Sequence, residues 1–114
     1  MMMTENMLEV LSEQATEIAA FLKVVANEQR LLLLCRLLES EASVSELVSV
    51  SGLSQSSVSQ HLARMREGGL VETRRESTTI FYRIADANVQ ALMTFLCDQF
   101  GQKAGRRATL SRLQ

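Results

Sequence analysis

The stretch Ser54–Met65, "SQSSVSQHLARM", combines a helix's apolar period with a polar face of unusual make-up. At 100° per residue, Val58, Leu62 and Met65 fall within about 60° of one another and form a stripe fit for burial. Opposite them lie Ser56, Ser57, Gln60, Arg64 and Glu67, with Gln55 and Ser59 on the flanks near the helix start. A helix kept merely soluble would carry Glu and Lys there. Small hydroxyls and amides let a backbone approach closely, glutamine both donates and accepts on base edges, and arginine reaches guanine or phosphate. Those are the requirements of a helix entering the major groove of DNA. The blander reading is a solvated helix that happens to be poor in charge.

Other reactive side chains are few. Two thiols, Cys35 and Cys97, and one imidazole, His61, complete the set. Two cysteines are too few for a disulfide scaffold and lack zinc-ribbon spacing. Zinc or nickel wants three or four His, Cys or carboxylate ligands, and two thiols with scattered carboxylates are a poor set. No metal or other cofactor is therefore expected, and His61 reads as a polar edge residue contacting phosphate or backbone. A nucleophile would need a base and an orienting group. His61 has no acidic neighbour close in sequence and there is no glycine-rich phosphate loop, so the chain does not read as an enzyme.

The polar helix needs elements to hold it. Residues 5–26 carry Met7, Leu8, Leu11, Ala15, Ile18, Ala19, Leu22 and Val25 at helical spacing and predict a long amphipathic helix. Asn27 is a suitable N-cap for a second, "EQRLLLLCRLLES", whose run of leucines predicts burial on most sides. Ser43-Val44-Ser45-Glu46 has the form of a capping box, and the short helix it opens ends at Gly52, suited to a left-handed turn. Ser54 then caps the polar helix, which Gly68-Gly69 stops. Helix, tight glycine-containing turn and helix over 44–67 make a helix-turn-helix.

The period then changes to that of strands. "LVETRR" and "TTIFYRIA" flank Glu76-Ser77-Thr78 and predict a hairpin, or wing, over 70–84. Arg74 and Arg75 precede its tip, Thr78 lies in it and Arg83 follows, where phosphate or minor-groove contacts would fall. Asp86 can cap a last helix with an apolar stripe at Val89, Leu92, Met93, Leu96 and Phe100. The expected fold is mainly α with a small β-hairpin, in the order α-α-α-α-β-β-α: a winged helix-turn-helix occupying residues 1–114 as one domain. The tail after the last helix's apolar stripe, with Lys103, Arg106, Arg107 and Arg112, reads as a partly ordered extension of that helix.

Bulk properties bound this reading without deciding it. The chain has 114 residues, 46% hydrophobic and 22% charged, with a net charge of −1, an ordinary globular composition. That charge is uneven. Residues 1–60 hold three Lys/Arg against eight Asp/Glu, whereas 61–83 hold five Arg against three Glu. No apolar run approaches the ~20 residues needed to span a bilayer, and the start lacks a signal peptide's pattern. No membrane partner is expected, and a cytoplasmic location is.

"LSQSSVSQHLARMREGGLVETRRESTTIFYRI" resembles the recognition helix and wing of the ArsR/SmtB winged-helix repressors. "LKVVANEQRLLLLCRLLESEASVSELV" resembles the segments preceding them, so the likeness runs from about Phe21 to Phe100. Within the family the chain is most similar to the HlyU/BigR/SqrR branch. The resemblance implies a homodimer built on the first and last helices (5–26 and 86–103), binding an imperfect palindrome in double-stranded DNA and repressing or counter-repressing transcription. Gln55, Ser56, Ser57, Ser59, Gln60, His61, Arg64, Arg74, Arg75 and Thr78 are the expected DNA-binding residues.

"SVSELV" lacks the cysteine cluster that the family's arsenic and cadmium sensors carry there. The branch instead implies thiol sensing, with Cys35 and Cys97 as redox-sensing residues and a polysulfide, persulfide or oxidant as inducer. Cys35 matches the branch's first cysteine. The second, which ends an aromatic-x-x-aromatic-Cys run, corresponds to Gly101, and Cys97 lies one turn earlier, about 6 Å along the axis on nearly the same face. Three alternatives stay open: two inert buried cysteines, a metal-responsive or ligand-independent regulator, and a winged helix used only for protein contacts.

Overall fold

The computed structural model describes residues 5–113, with side chains described over 6–101. The first amphipathic stretch forms α1 (Glu5–Val25). It ends where Asn27, in extended conformation, accepts a hydrogen bond from the Arg30 backbone N–H at 3.0 Å and so caps α2 (Glu28–Leu37). That helix stops three residues before the end of the leucine-rich stretch. Leu38–Ser40 turn instead, with Arg36 donating to the Ser40 carbonyl at 3.1 Å. The turn leads into a strand with no signature in the residue pattern: β1 (Ala42–Ser43), too short to show alternation.

Ser43 serves both β1 and the next helix, α3 (Val44–Ser51). Its hydroxyl accepts from the Glu46 backbone N–H at 3.2 Å and is also within 3.2 Å of the Glu46 carboxylate, to which it donates. A full capping box would have the Glu46 carboxylate accept from the Ser43 backbone N–H instead; that residue is paired with Phe81 across the sheet. Gly52, at φ 73°, closes α3 in the left-handed region, where a Cβ would be strained. Ser54 then accepts from the Ser57 N–H at 3.0 Å and starts α4 (Gln55–Glu67). Beyond it Gly69, at φ 77°, turns the chain into the sheet.

The wing is β2 (Val71–Glu76) and β3 (Thr79–Ile84), antiparallel and joined by Ser77-Thr78. With β1 they form a three-stranded sheet in the order β1-β3-β2. Ser77 has φ 57°, a left-handed conformation more easily met by glycine. α5 (Ala87–Leu113) is capped by Asp86, which accepts from the Val89 N–H at 2.9 Å, and its backbone continues past the expected end at 103. Lys103, Arg106, Arg107 and Arg112 lie outside the described side chains.

The core gathers Leu33, Leu34 and Leu37 of α2, Leu47 of α3, Val58, Leu62 and Met65 of α4, Leu70 and Val71, and Val89 and Met93 of α5. The α4 stripe is wholly buried. Burial of α2 is one-sided: Leu32 is 59% exposed, against 0% for Leu34. α1 stands further out, with Val25 buried but Leu8, Val10, Leu11, Ile18 and Leu22 exposed. No helix among the described residues is long and apolar enough to cross a membrane.

Candidate DNA-binding face and thiol pair

Burying Val58, Leu62 and Met65 turns the rest of α4 outward. Gln55, Ser56, Ser59, Gln60 and Arg64 are exposed, and Ser57 is half-buried. Among the described residues the side chains of Gln55, Ser56, Ser59, Gln60 and Arg64 form no hydrogen bond or ion pair within the chain. Their donors and acceptors are free for an outside partner. Thr78 is exposed at the wing tip, and Arg75 is exposed beside it with its Nε donating to the Ser77 carbonyl at 3.1 Å.

Two expected DNA-facing residues lie in other surroundings. Arg74 is held within the chain: its Nε donates to Glu41 Oε2 at 3.1 Å, its Nη2 pairs with Glu41 Oε1, and its Nη1 reaches Glu76 at 3.0 Å. Its guanidinium also lies 4.9 Å from the ring centroid of Phe81, its cross-strand partner. Hydrogen bonding to Glu41, then to Glu76, raises the Arg74 pKa, and Arg74 in turn holds the Glu41 carboxyl below its usual range. Arg74 thus braces the wing against the segment entering β1. Arg83 is likewise paired with Glu72, at 2.7 Å.

His61 points from α4 towards the start of α2. Its Nε2 is 2.7 Å from Gln29 Oε1 and its Nδ1 is 3.3 Å from Arg30 Nη1. Burial, and then the Arg30 charge, lowers the imidazole's pKa. Gln29, Arg30 and Glu41 were not picked out from the sequence. Nothing in local spacing marks them, because each matters through a partner about thirty residues away.

The thiols come together. Cys35 on α2 and Cys97 on α5 are joined as a disulfide with their Cα atoms 6.9 Å apart, inside the roughly 7 Å a direct bridge allows. The one-turn offset of Cys97 from the branch's usual position therefore still leaves it opposite Cys35. Both are half-buried and line an open apolar groove of about 450 Å³ with Leu31, Leu32, Met93, Leu96, Phe100 and Gly101. Among the described residues no cluster of three or more His, Cys, Asp or Glu gathers to hold a metal.

A tight helical pair, an open polar second helix and a flanking hairpin define a winged helix-turn-helix DNA-binding protein. The chain belongs to the ArsR family of transcriptional regulators: the family model described as "Bacterial regulatory protein, arsR family" matches residues 27–73. It is 45% identical over 89 residues to the transcriptional activator HlyU of Vibrio cholerae, covering 78% of this chain and 82% of the relative. The crystal structure of the transcriptional repressor BigR from Xylella fastidiosa matches with TM-score 0.75 at 41% identity, covering 86% of this chain and 97% of that one. A homodimeric winged helix-turn-helix DNA-binding domain, Mb0332 from Mycobacterium bovis, matches with TM-score 0.71 at 27% identity, over 90% and 91%. Its relatives are regulators, not enzymes.

Proposed function

We propose that this chain acts as a homodimer on a two-fold symmetric operator, with α4 in the major groove and the wing tip beside it, and that thiol oxidation releases it. The open α4 face carries the reading. Five side chains able to hydrogen-bond are exposed there with no partner in the described chain, on a helix whose other side is fully buried. A dimer fits the exposed apolar row Leu8, Leu11, Ile18 and Leu22 of α1, larger than the scattered leucines of an ordinary surface. Two-fold symmetry would place paired α4 helices in successive major grooves.

The switch rests on Cys35 and Cys97 meeting beside an open groove. Bridging them removes two protons and two electrons, which the oxidant takes up. Hydrogen peroxide leaves as two waters, and a disulfane leaves as two molecules of hydrogen sulfide. The bridge ties α2 to α5, joining the core that supports α4 to a helix of the proposed dimer interface.

Binding of the reduced protein to a duplex from its own promoter, followed by fluorescence anisotropy, tests both parts. Polysulfide or peroxide should lower affinity, reductant should restore it, and Cys35→Ser or Cys97→Ser should abolish the response. If the double mutant still releases DNA, thiol sensing is wrong. If the reduced protein ignores duplex DNA, the docking itself is wrong.

A further inference from the structure

Arg30 occupies the corner where α1 gives way to α2. Its backbone N–H is fixed by Asn27, and its Nε donates to the Val24 carbonyl in the last turn of α1 at 2.5 Å. Its Nη1 reaches His61 on α4. A guanidinium only donates, so His61 Nδ1 must be the acceptor and carry no proton. The ring proton then sits on Nε2 and is given to Gln29 Oε1 at 2.7 Å. Both contacts require one tautomer of the neutral ring.

We propose that His61 and Arg30 are positioning residues for DNA recognition: the neutral imidazole pins α4 to the α1–α2 corner, a contact the reduced, DNA-binding form keeps. The inference rests on reading α4 as the helix that enters the groove. Protonation would put an N–H where Arg30 already donates and set two positive charges side by side. Of the charged side chains on α1, α2, α3 and β2, which pack against α4, Arg30 is the one that acts on the ring. Gln29 is neutral, and Arg64 and Arg66 follow on α4 itself.

The sign of the pH response separates this role from a phosphate contact. A histidine touching the DNA backbone would gain charge in acid and tighten binding to a polyanion. A histidine that must stay neutral to hold α4 makes binding weaker in acid, because protons favour the unbound, unpinned form. From about pH 7.5 to about pH 5.5 at fixed ionic strength, wild-type affinity for its promoter duplex should fall by the factor one plus the ratio of protonated to neutral ring in the free protein at the lower pH. His61→Gln cannot titrate and should bind with little change over that range.

His61 is the one histidine in the chain, so its ring signals in nitrogen-15 NMR are unambiguous. The free protein should show the Nε2–H tautomer, titrating below the ordinary 6.5. Arg30→Gln should move that titration upward and weaken operator binding at neutral pH. Binding that is unchanged or tighter in acid, an Nδ1–H tautomer, or a His61→Gln variant with the wild-type pH response would each overturn the proposal. The NMR readout needs no DNA. Loss of duplex binding at every pH would instead remove the DNA reading, and the proposal with it.

Discussion

Reducing the Cys35–Cys97 bond should lower the melting temperature by a predictable amount. The bond closes a loop across a sequence separation of 62. The chain-entropy relation for a loop of about 60 residues gives roughly 14 cal/mol/K, or ~4 kcal/mol at 25 °C, removed from the unfolded state. For a domain of this size each kcal/mol moves the midpoint by about 3–6 °C, so the upper bound is a shift of roughly 12–24 °C. Thermal unfolding followed by circular dichroism, with and without reductant, measures it. Mass spectrometry confirms the bridge, and Cys35→Ser supplies a control that should not respond to reductant. Matching melts of bridged and reduced protein, within about 2 °C, would refute the reasoning, since the bond would then have to strain the native packing by nearly as much as it restricts the unfolded chain.

Leu62 is 0% exposed, so Leu62→Ala should cost about 2–5 kcal/mol in urea unfolding, and a loss under about 1 kcal/mol would mean the α4 stripe is not packed as described. Gln60→Ala should weaken operator binding by about 1–3 kcal/mol and relax sequence preference, whereas Arg75→Ala should weaken binding to all duplexes and flatten the salt slope by about one charge per subunit. Glu41 has its pKa lowered on folding, chiefly by its hydrogen bonds from Arg74, so the contribution is complete above the ordinary 4.5 and disappears as pH falls through the lower folded value. Acid titration of wing resonances should show β1 and β2 loosening together below that range, and Glu41→Gln should remove the step.

Helical periodicity and caps were readable because each is settled within a few residues. Asn27, Ser43, Ser54 and Asp86 all cap helices through contacts three residues on, and Gly52 and Gly69 take the left-handed turns. β1 is not legible in the sequence because two residues show no alternation, and its existence depends on Phe81 and Tyr82 arriving alongside. The end of α2 is hidden for a related reason. Leucine-rich sequence favours continued helix, but the chain must leave it early to lay Ala42 and Ser43 on β3. For the site, the outward face of α4 follows from its buried stripe, which the sequence displays. The partners of His61 and Arg74 do not, since residue type states what a side chain can bond and only the fold states what it meets.

That distinction changes the electrostatic picture of the DNA-binding face. Counted along the chain, five arginines between 61 and 83 suggest a basic surface. In the fold, Arg74 is taken up by Glu41 and Glu76 and Arg83 by Glu72, which leaves Arg64, Arg66 and Arg75 without a carboxylate partner among the described residues. Phosphate attraction supplies affinity that is nearly blind to sequence, while uncharged groups on base edges supply discrimination. Internal pairing of Arg74 and Arg83 therefore does more than stiffen the wing. On the proposed docking, it would lower the share of binding that any duplex could satisfy and leave proportionally more of it to Ser56, Gln60 and their neighbours. Under that proposal the serine-and-glutamine face and the neutralised wing arginines would act as two parts of one arrangement, favouring sequence preference over general attraction to DNA.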